Sequence, residues 1–320
     1  MKIGTRNKYL NRPSSIIFSD VNRWALITRI DTELAKLAGG AHPALLKASD
    51  SLRYRACRRS DRPVRTWCDA FSDLTLFYPV LQVPAVLEEG EEAVLNALTT
   101  HVHLLIWTFG EDRIVDAEAR LSKGHYIFLS WCRHRAFCEL RRLCKPGGSA
   151  ERATDEGTSR YLLASMGTHA RSVRALEQAA VDRAICGVFV ALALAERFGV
   201  SMSLVQRSFA AIVTALQWLD DLDDWSADFL AGRPNLFVAQ LRNAPVSLAA
   251  EPSHGEVIRM GIDCIERRVY GLLDDAIALQ GQIAASGLTD QLLELRVSAR
   301  DAFERHRASW ADLEEAPVER

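Results

Sequence analysis

No uninterrupted apolar run in this 320-residue chain reaches the length of a membrane span. The basic start MKIGTRNKYLNRP leads into no apolar core, so no signal peptide is expected. The seven cysteines (57, 68, 132, 138, 144, 186 and 264) include no C-x-x-C pair. That predicts reduced, mostly buried thiols in a cytoplasmic protein. Cys132, Cys138 and Cys144 recur every six residues, which rotates them around a helix and does not gather them for zinc. Net charge is only −2, which argues against nucleic acid as a partner. β-branched alternation is scarce, and there is no convincing strand, internal repeat or low-complexity tract. What is left is an ordinary globular mixture, 48% hydrophobic and 25% charged, long enough to bury a substantial core.

Helical signals run almost throughout. Amphipathic or apolar segments cover 14–40, 43–60, 66–78, 91–121, 124–144, 160–178, 180–198, 201–231, 256–285 and 288–312. Gly39-Gly40, Tyr78-Pro79, Lys145-Pro146-Gly147-Gly148, Gly199 and Gly232-Arg233-Pro234 punctuate them. The polar stretch 145–159 and the proline-bearing stretch 243–255 read as loops, either of which can serve as a lid. Ala184–Ala195 is nearly all apolar, and such a helix belongs inside a bundle. One all-α domain spanning 1–320 is expected, with flexible ends at 1–13 and 313–320.

The most informative stretch is Leu216-Gln217-Trp218-Leu219-Asp220-Asp221-Leu222-Asp223-Asp224-Trp225-Ser226-Ala227-Asp228. Carboxylates this dense repel one another, and a packed helix tolerates them mainly when cations sit among them. Hard divalent ions, which share oxygen ligands with substrate phosphates, suit that role. With Asp220 at zero and ~100° per residue, Asp224, Asp228 and Asp221 fall near ~40°, ~80° and ~100°. Asp223 lies ~60° to the other side. Val213, Gln217 and Ala210 continue the stripe one to three turns earlier, so an acidic end runs into an apolar one. That arrangement fits a pocket with metal and phosphate at its mouth and hydrocarbon within.

A second apolar-to-acidic helix runs from His101 to Asp116. Asp112 and Asp116 share a face, Leu105 and Phe109 stand above them, and Glu111 points ~100° away. Two such helices facing each other can clamp a metal–diphosphate cluster. His101 and His103 diverge and read as ordinary core or surface residues. The basic run Arg53–Arg65 reads as a solvated face.

Leu216–Asp224 resembles the second aspartate-rich motif of the trans-isoprenyl diphosphate synthases, F-Q-x-x-D-D-x-x-D. Asp220, Asp224 and Asp228 also match the spacing of the metal-binding triad N-x-x-x-S-x-x-x-E of class I terpene synthases. Glu111-Asp112…Asp116 looks like a degraded first motif. The resemblance implies an all-α bundle with a central cavity, three Mg²⁺, and ionisation or condensation of allylic diphosphates. Its metal ligands would be Asp112, Asp116, Asp220, Asp221, Asp224 and Asp228. Terpene synthases carry a diphosphate-sensing arginine 46 positions before their triad. Counting back from Asp220 reaches Arg174, with Arg171 nearby. Arg233, Arg305 and Arg307 complete the basic groups expected at the diphosphate.

Chain-elongating members of the family hold isopentenyl diphosphate on an early Gly-Gly-Lys-Arg. The nearest text here is Gly39-Gly40-Ala41-His42-Pro43, without the basic residues, and the Arg-Arg pair after the first motif is also missing. The sequence therefore favours a terpene synthase acting on farnesyl or geranylgeranyl diphosphate, with Leu105, Phe109, Phe189, Val213 and Gln217 as cavity residues. The alternatives are a prenyltransferase and a non-catalytic helical protein that binds a divalent ion or a partner. The resemblance also admits a homodimer.

Overall fold

The computed structural model describes residues 20–56, 64–115, 121–167, 172–243, 254–283 and 285–314. Twelve α-helices lie within them: α1 (Asp20–Ala41), α2 (Pro43–Ala56), α3 (Asp73–Gln82), α4 (Glu91–Val115), α5 (Lys123–Leu143), α6 (Ser149–Ser165), α7 (Val173–Ala184), α8 (Phe189–Phe198), α9 (Met202–Leu230), α10 (Leu236–Asn243), α11 (His254–Ile283) and α12 (Ser286–Glu314). Three 3₁₀ segments join them, and no strand occurs among the described residues. The architecture is all-α, as the periodicity predicts.

On one side α1, α2, α4 and α5 pack together; on the other, α9 lies along α11 and α11 along α12. Between these groups sit α3, which touches α4, α8 and α12, and α8, which touches α3, α4, α5, α6 and α9. Every side chain from Phe189 to Ala195 is buried. That is the fate expected of a helix with no polar face. Gly199 ends it at φ 71°, in the left-handed conformation where glycine carries no Cβ penalty. Val173–Phe198 is long and apolar enough to cross a membrane, but 72% of its apolar window is buried inside the fold. The buried residues form one cluster drawing on helices from α1 to α12.

Three expectations are corrected. The stretch 145–159 is largely helix, because α6 starts at Ser149. Its buried face is Ala150, Thr154, Gly157 and Tyr161, at helical spacing but too small and polar to register as an apolar stripe. A Cβ on Gly157 would stand 2.6 Å from the Phe189 ring, so glycine lets α6 seat against α8. No lid therefore forms from 149–159. The second change is that the helix at 180–198 begins at Val173 and is broken by a 3₁₀ turn at Ile185–Val188.

The third correction concerns α3, which continues through Pro79 to Gln82. Proline has no N–H to give the Thr75 carbonyl four residues back. His101 of α4 fills that vacancy, its Nε2 lying 2.8 Å from the Thr75 oxygen. The loop at 243–255 falls mostly outside the described residues, as do 1–13 and 315–320. The six cysteines at 68, 132, 138, 144, 186 and 264 are free thiols.

Candidate active site

The acidic end of α9 is organised by the chain that follows it. Gly232, at φ 66°, turns the backbone back. Asn235 then caps α10 by accepting the Val238 N–H at 3.1 Å. Its amide nitrogen donates to the Asp221 carbonyl at 2.9 Å and to Asp228 Oδ2 at 3.1 Å. The Asp221 carboxylate accepts the Leu236 N–H and the Gln217 side-chain amide. Arg233 lies 3.8 Å from Asp228. Burial pushes the Asp221 carboxyl up to about 6, with the Asp228 charge adding to the rise and the two donated hydrogen bonds opposing it. Asp221 and Asp228 thus anchor the returning chain.

Asp223 accepts from His306 of α12 at 2.8 Å. Asp220 and Asp224 are half-buried, one turn apart on the same face. Gln217 is buried and donates its side-chain amide to Asp221.

On α4, Asp112 is half-buried at the last described turn, and Asp116 lies outside the described residues. The neighbouring Glu111 accepts the Tyr161 hydroxyl at 2.9 Å. Burial raises the Tyr161 phenol well above its usual range, and the Glu111 charge adds to it. Leu105 and Val213 are buried, as the stripes predict. Phe109 and Phe189 are more deeply enclosed. Both are 0% exposed, so neither faces a hollow large enough for water. Phe109 packs edge-on against Trp67 and Phe71, and Phe189 against Phe137.

Helices α4 and α9 do not pack extensively on each other. The 3₁₀ break at Ile185–Val188 and α8 touch both. Cys186 in the break feels the charges of Glu111 and Arg133. One residue that the sequence reading missed stands at this break. Arg183, in the last turn of α7, has its Nε buried with no hydrogen-bond partner. A buried donor without a partner is costly. Nothing in the local sequence singles it out, because the interruption at 185 carries no proline.

The arginines expected at the diphosphate disperse. Arg307 is held by Asp263 (2.7 Å) and Glu266 of α11. Arg305 is exposed on α12. Arg174 lines a groove with residues of α9 and α11, on the face of α7 opposite Arg183 by helix rotation. Arg171 lies outside the described residues. Among the described residues, no three His, Cys, Asp or Glu side chains converge as a metal site.

No protein-family model matches the sequence, and no curated protein matches it. Among solved structures, the chain is similar to geranylgeranyl pyrophosphate synthase from Corynebacterium glutamicum ATCC 13032, with a TM-score of 0.57 and 16% identity. The match covers 91% of this chain and 96% of that one. The likeness is one of fold: this chain has the all-helical isoprenyl diphosphate synthase fold.

Proposed function

We propose that this chain, a single helical catalytic domain, is a Mg²⁺-dependent trans-prenyltransferase that joins isopentenyl diphosphate to an allylic prenyl diphosphate. The observation that carries the reading is a fold shared almost end to end with geranylgeranyl pyrophosphate synthase, in a chain whose α9 carries the acidic run. Its support at the site is the 3₁₀ break at Ile185–Val188, packed against both acid-bearing helices.

The donors suit Mg²⁺, which is held by one or two carboxylates together with substrate phosphates and water. Asp220 and Asp224 are that pair on α9, and Asp112 with Asp116 is the pair proposed on α4. Mg²⁺ bound there supplies Lewis acidity to a diphosphate, a poor leaving group until its charge is neutralised. Asp221 and Asp228 act on the protein and hold the chain after α9. Buried apolar residues such as Leu105 and Val213 keep water from the allylic cation.

A terpene synthase is the second reading, and one observation favours it. Gly39-Gly40-Ala41-His42-Pro43, the nearest text to the Gly-Gly-Lys-Arg of elongating enzymes, has no lysine or arginine, and His42 Nδ1 instead accepts the Ala44 N–H at 3.1 Å and caps α2. Incubating the protein with Mg²⁺ and an allylic diphosphate, with and without isopentenyl diphosphate, separates the two. Longer diphosphates formed only with both substrates are expected. Hydrocarbon or alcohol from the allylic substrate alone establishes the second reading, and intact substrate throughout rejects both.

A further inference from the structure

Away from the aspartates, α9 floors a second concavity, walled by α7 and α11, with a volume of about 470 Å³. That size lies within the range of small-molecule sites. Its base is apolar, with Ala210 and Ala211 from α9 and Leu272 and Leu279 from α11. Two arginines reach it, Arg174 from α7 and Arg207 from α9. Both are exposed, and among the described residues neither has a carboxylate partner.

One acid of the same groove is occupied. Glu177 accepts from Arg268 through both oxygens at 2.9 Å and from the Trp218 indole at 2.8 Å. Asp275 also lies in the field of Arg268. The Glu177–Arg268 pair spans from α7 to α11.

This groove is distinct from the aspartate face. With Asp220 at zero and Asp224 near ~40°, Ala210 shares the ~80° direction of the aspartate stripe, while Thr214, Arg207 and Ala211 turn away to ~120°, ~140° and ~180° around α9. The α9 residues of the groove are centred ~17 Å along the axis from Asp220 and Asp224. Two open guanidiniums above an apolar floor match a ligand with a multiply charged phosphate head and a hydrocarbon tail, because guanidinium pairs bidentately with phosphate. We propose that the α7–α9–α11 groove is a second binding site, for a prenyl diphosphate held without metal. It does not depend on turnover at the aspartates, since arginine alone supplies the countercharge.

The test is calorimetric titration of the full chain with farnesyl diphosphate in excess EDTA, where metal-assisted binding at Asp220 and Asp224 is abolished. Saturable binding is expected, with farnesol and inorganic pyrophosphate each at least tenfold weaker. The double variant Arg174→Ala/Arg207→Ala should bind at least tenfold more weakly. Ala211→Trp, which fills the floor and leaves both charges, should weaken binding as much. Absence of saturable binding in EDTA, or wild-type affinity in both variants, overturns the proposal. Turnover with Mg²⁺ is read separately, so loss of one leaves the other standing.

Discussion

Five aspartates stand within nine residues of α9, and their surroundings give them different work. Asp221 is buried and holds the Leu236 N–H; Asp228 holds Asn235; Asp223 holds His306. Replacing Asp220 or Asp224 by alanine is expected to abolish metal-dependent turnover and leave the thermal midpoint nearly unchanged. Asp221→Ala should do something else. It strands a buried backbone N–H and a buried glutamine, a loss of about 2–3 kcal/mol. Parallel assays of turnover and thermal melting on the three variants check this. A stable, inactive Asp221→Ala would move that residue into the metal set.

Titration is legible at the same scale. Burial lowers His101 and His103 from 6.5 to about 4. In each ring one nitrogen is bonded to a backbone carbonyl and the other is buried without a partner, so a second proton would have nowhere to go. The unfolded chain therefore binds more protons between pH 4 and 6.5. Stability from these residues is complete above pH 6.5 and is lost as pH falls towards 4, by up to about 3 kcal/mol each. Urea midpoints should drop between pH 7 and pH 5, and His101→Gln should flatten the drop. An equal drop in that variant would contradict the assignment.

Among the helices, α3 and α4 are coupled through one vacancy. Pro79 leaves the Thr75 carbonyl open and His101 closes it. His101→Leu should cost about 1–3 kcal/mol in the native sequence. It should cost less beside Pro79→Ala, which restores the intrahelical donor, and a double-mutant cycle measures the difference. Additive losses would show that the two do not interact. Helix α6 depends in the same way on what is missing from it. Gly157→Val should destabilise by about 1–3 kcal/mol through overpacking against Phe189 and Ile185, read as a shift in the urea midpoint.

These helices also show where the sequence was readable. Segments with large apolar stripes, such as α8 and α9, were recognisable together with the glycine that ends α8. Helix α6 was hidden because alanine, threonine and glycine make its inner face. The break at Ile185 was hidden because no proline marks it. The i, i+4 arithmetic put Asp220, Asp224 and Asp228 on one stripe. It could not tell that Asn235 would return to claim Asp228 and Asp221, since that depends on a turn that brings the next helix alongside. Phe109 and Phe189 sit on apolar stripes as expected, but a stripe does not say whether its residues meet a hollow or other rings.

For the whole molecule, α3 and α8 lie between two sets of helices, and the acid-bearing helices α4 and α9 are joined mainly through the α7–α8 break. The match over 91% of the chain at 16% identity is a likeness of architecture with little likeness of sequence. Magnesium clamped between the carboxylates of α4 and α9 is the claim on which the catalytic account stands. A crystal grown with Mn²⁺ in place of Mg²⁺ and a non-reactive allylic diphosphate analogue tests it most directly through the anomalous signal of the metal. The account predicts manganese at coordination distance from Asp220 and Asp224, with the diphosphate shared towards α4. Manganese elsewhere, or an analogue bound with no metal at these aspartates, would contradict it.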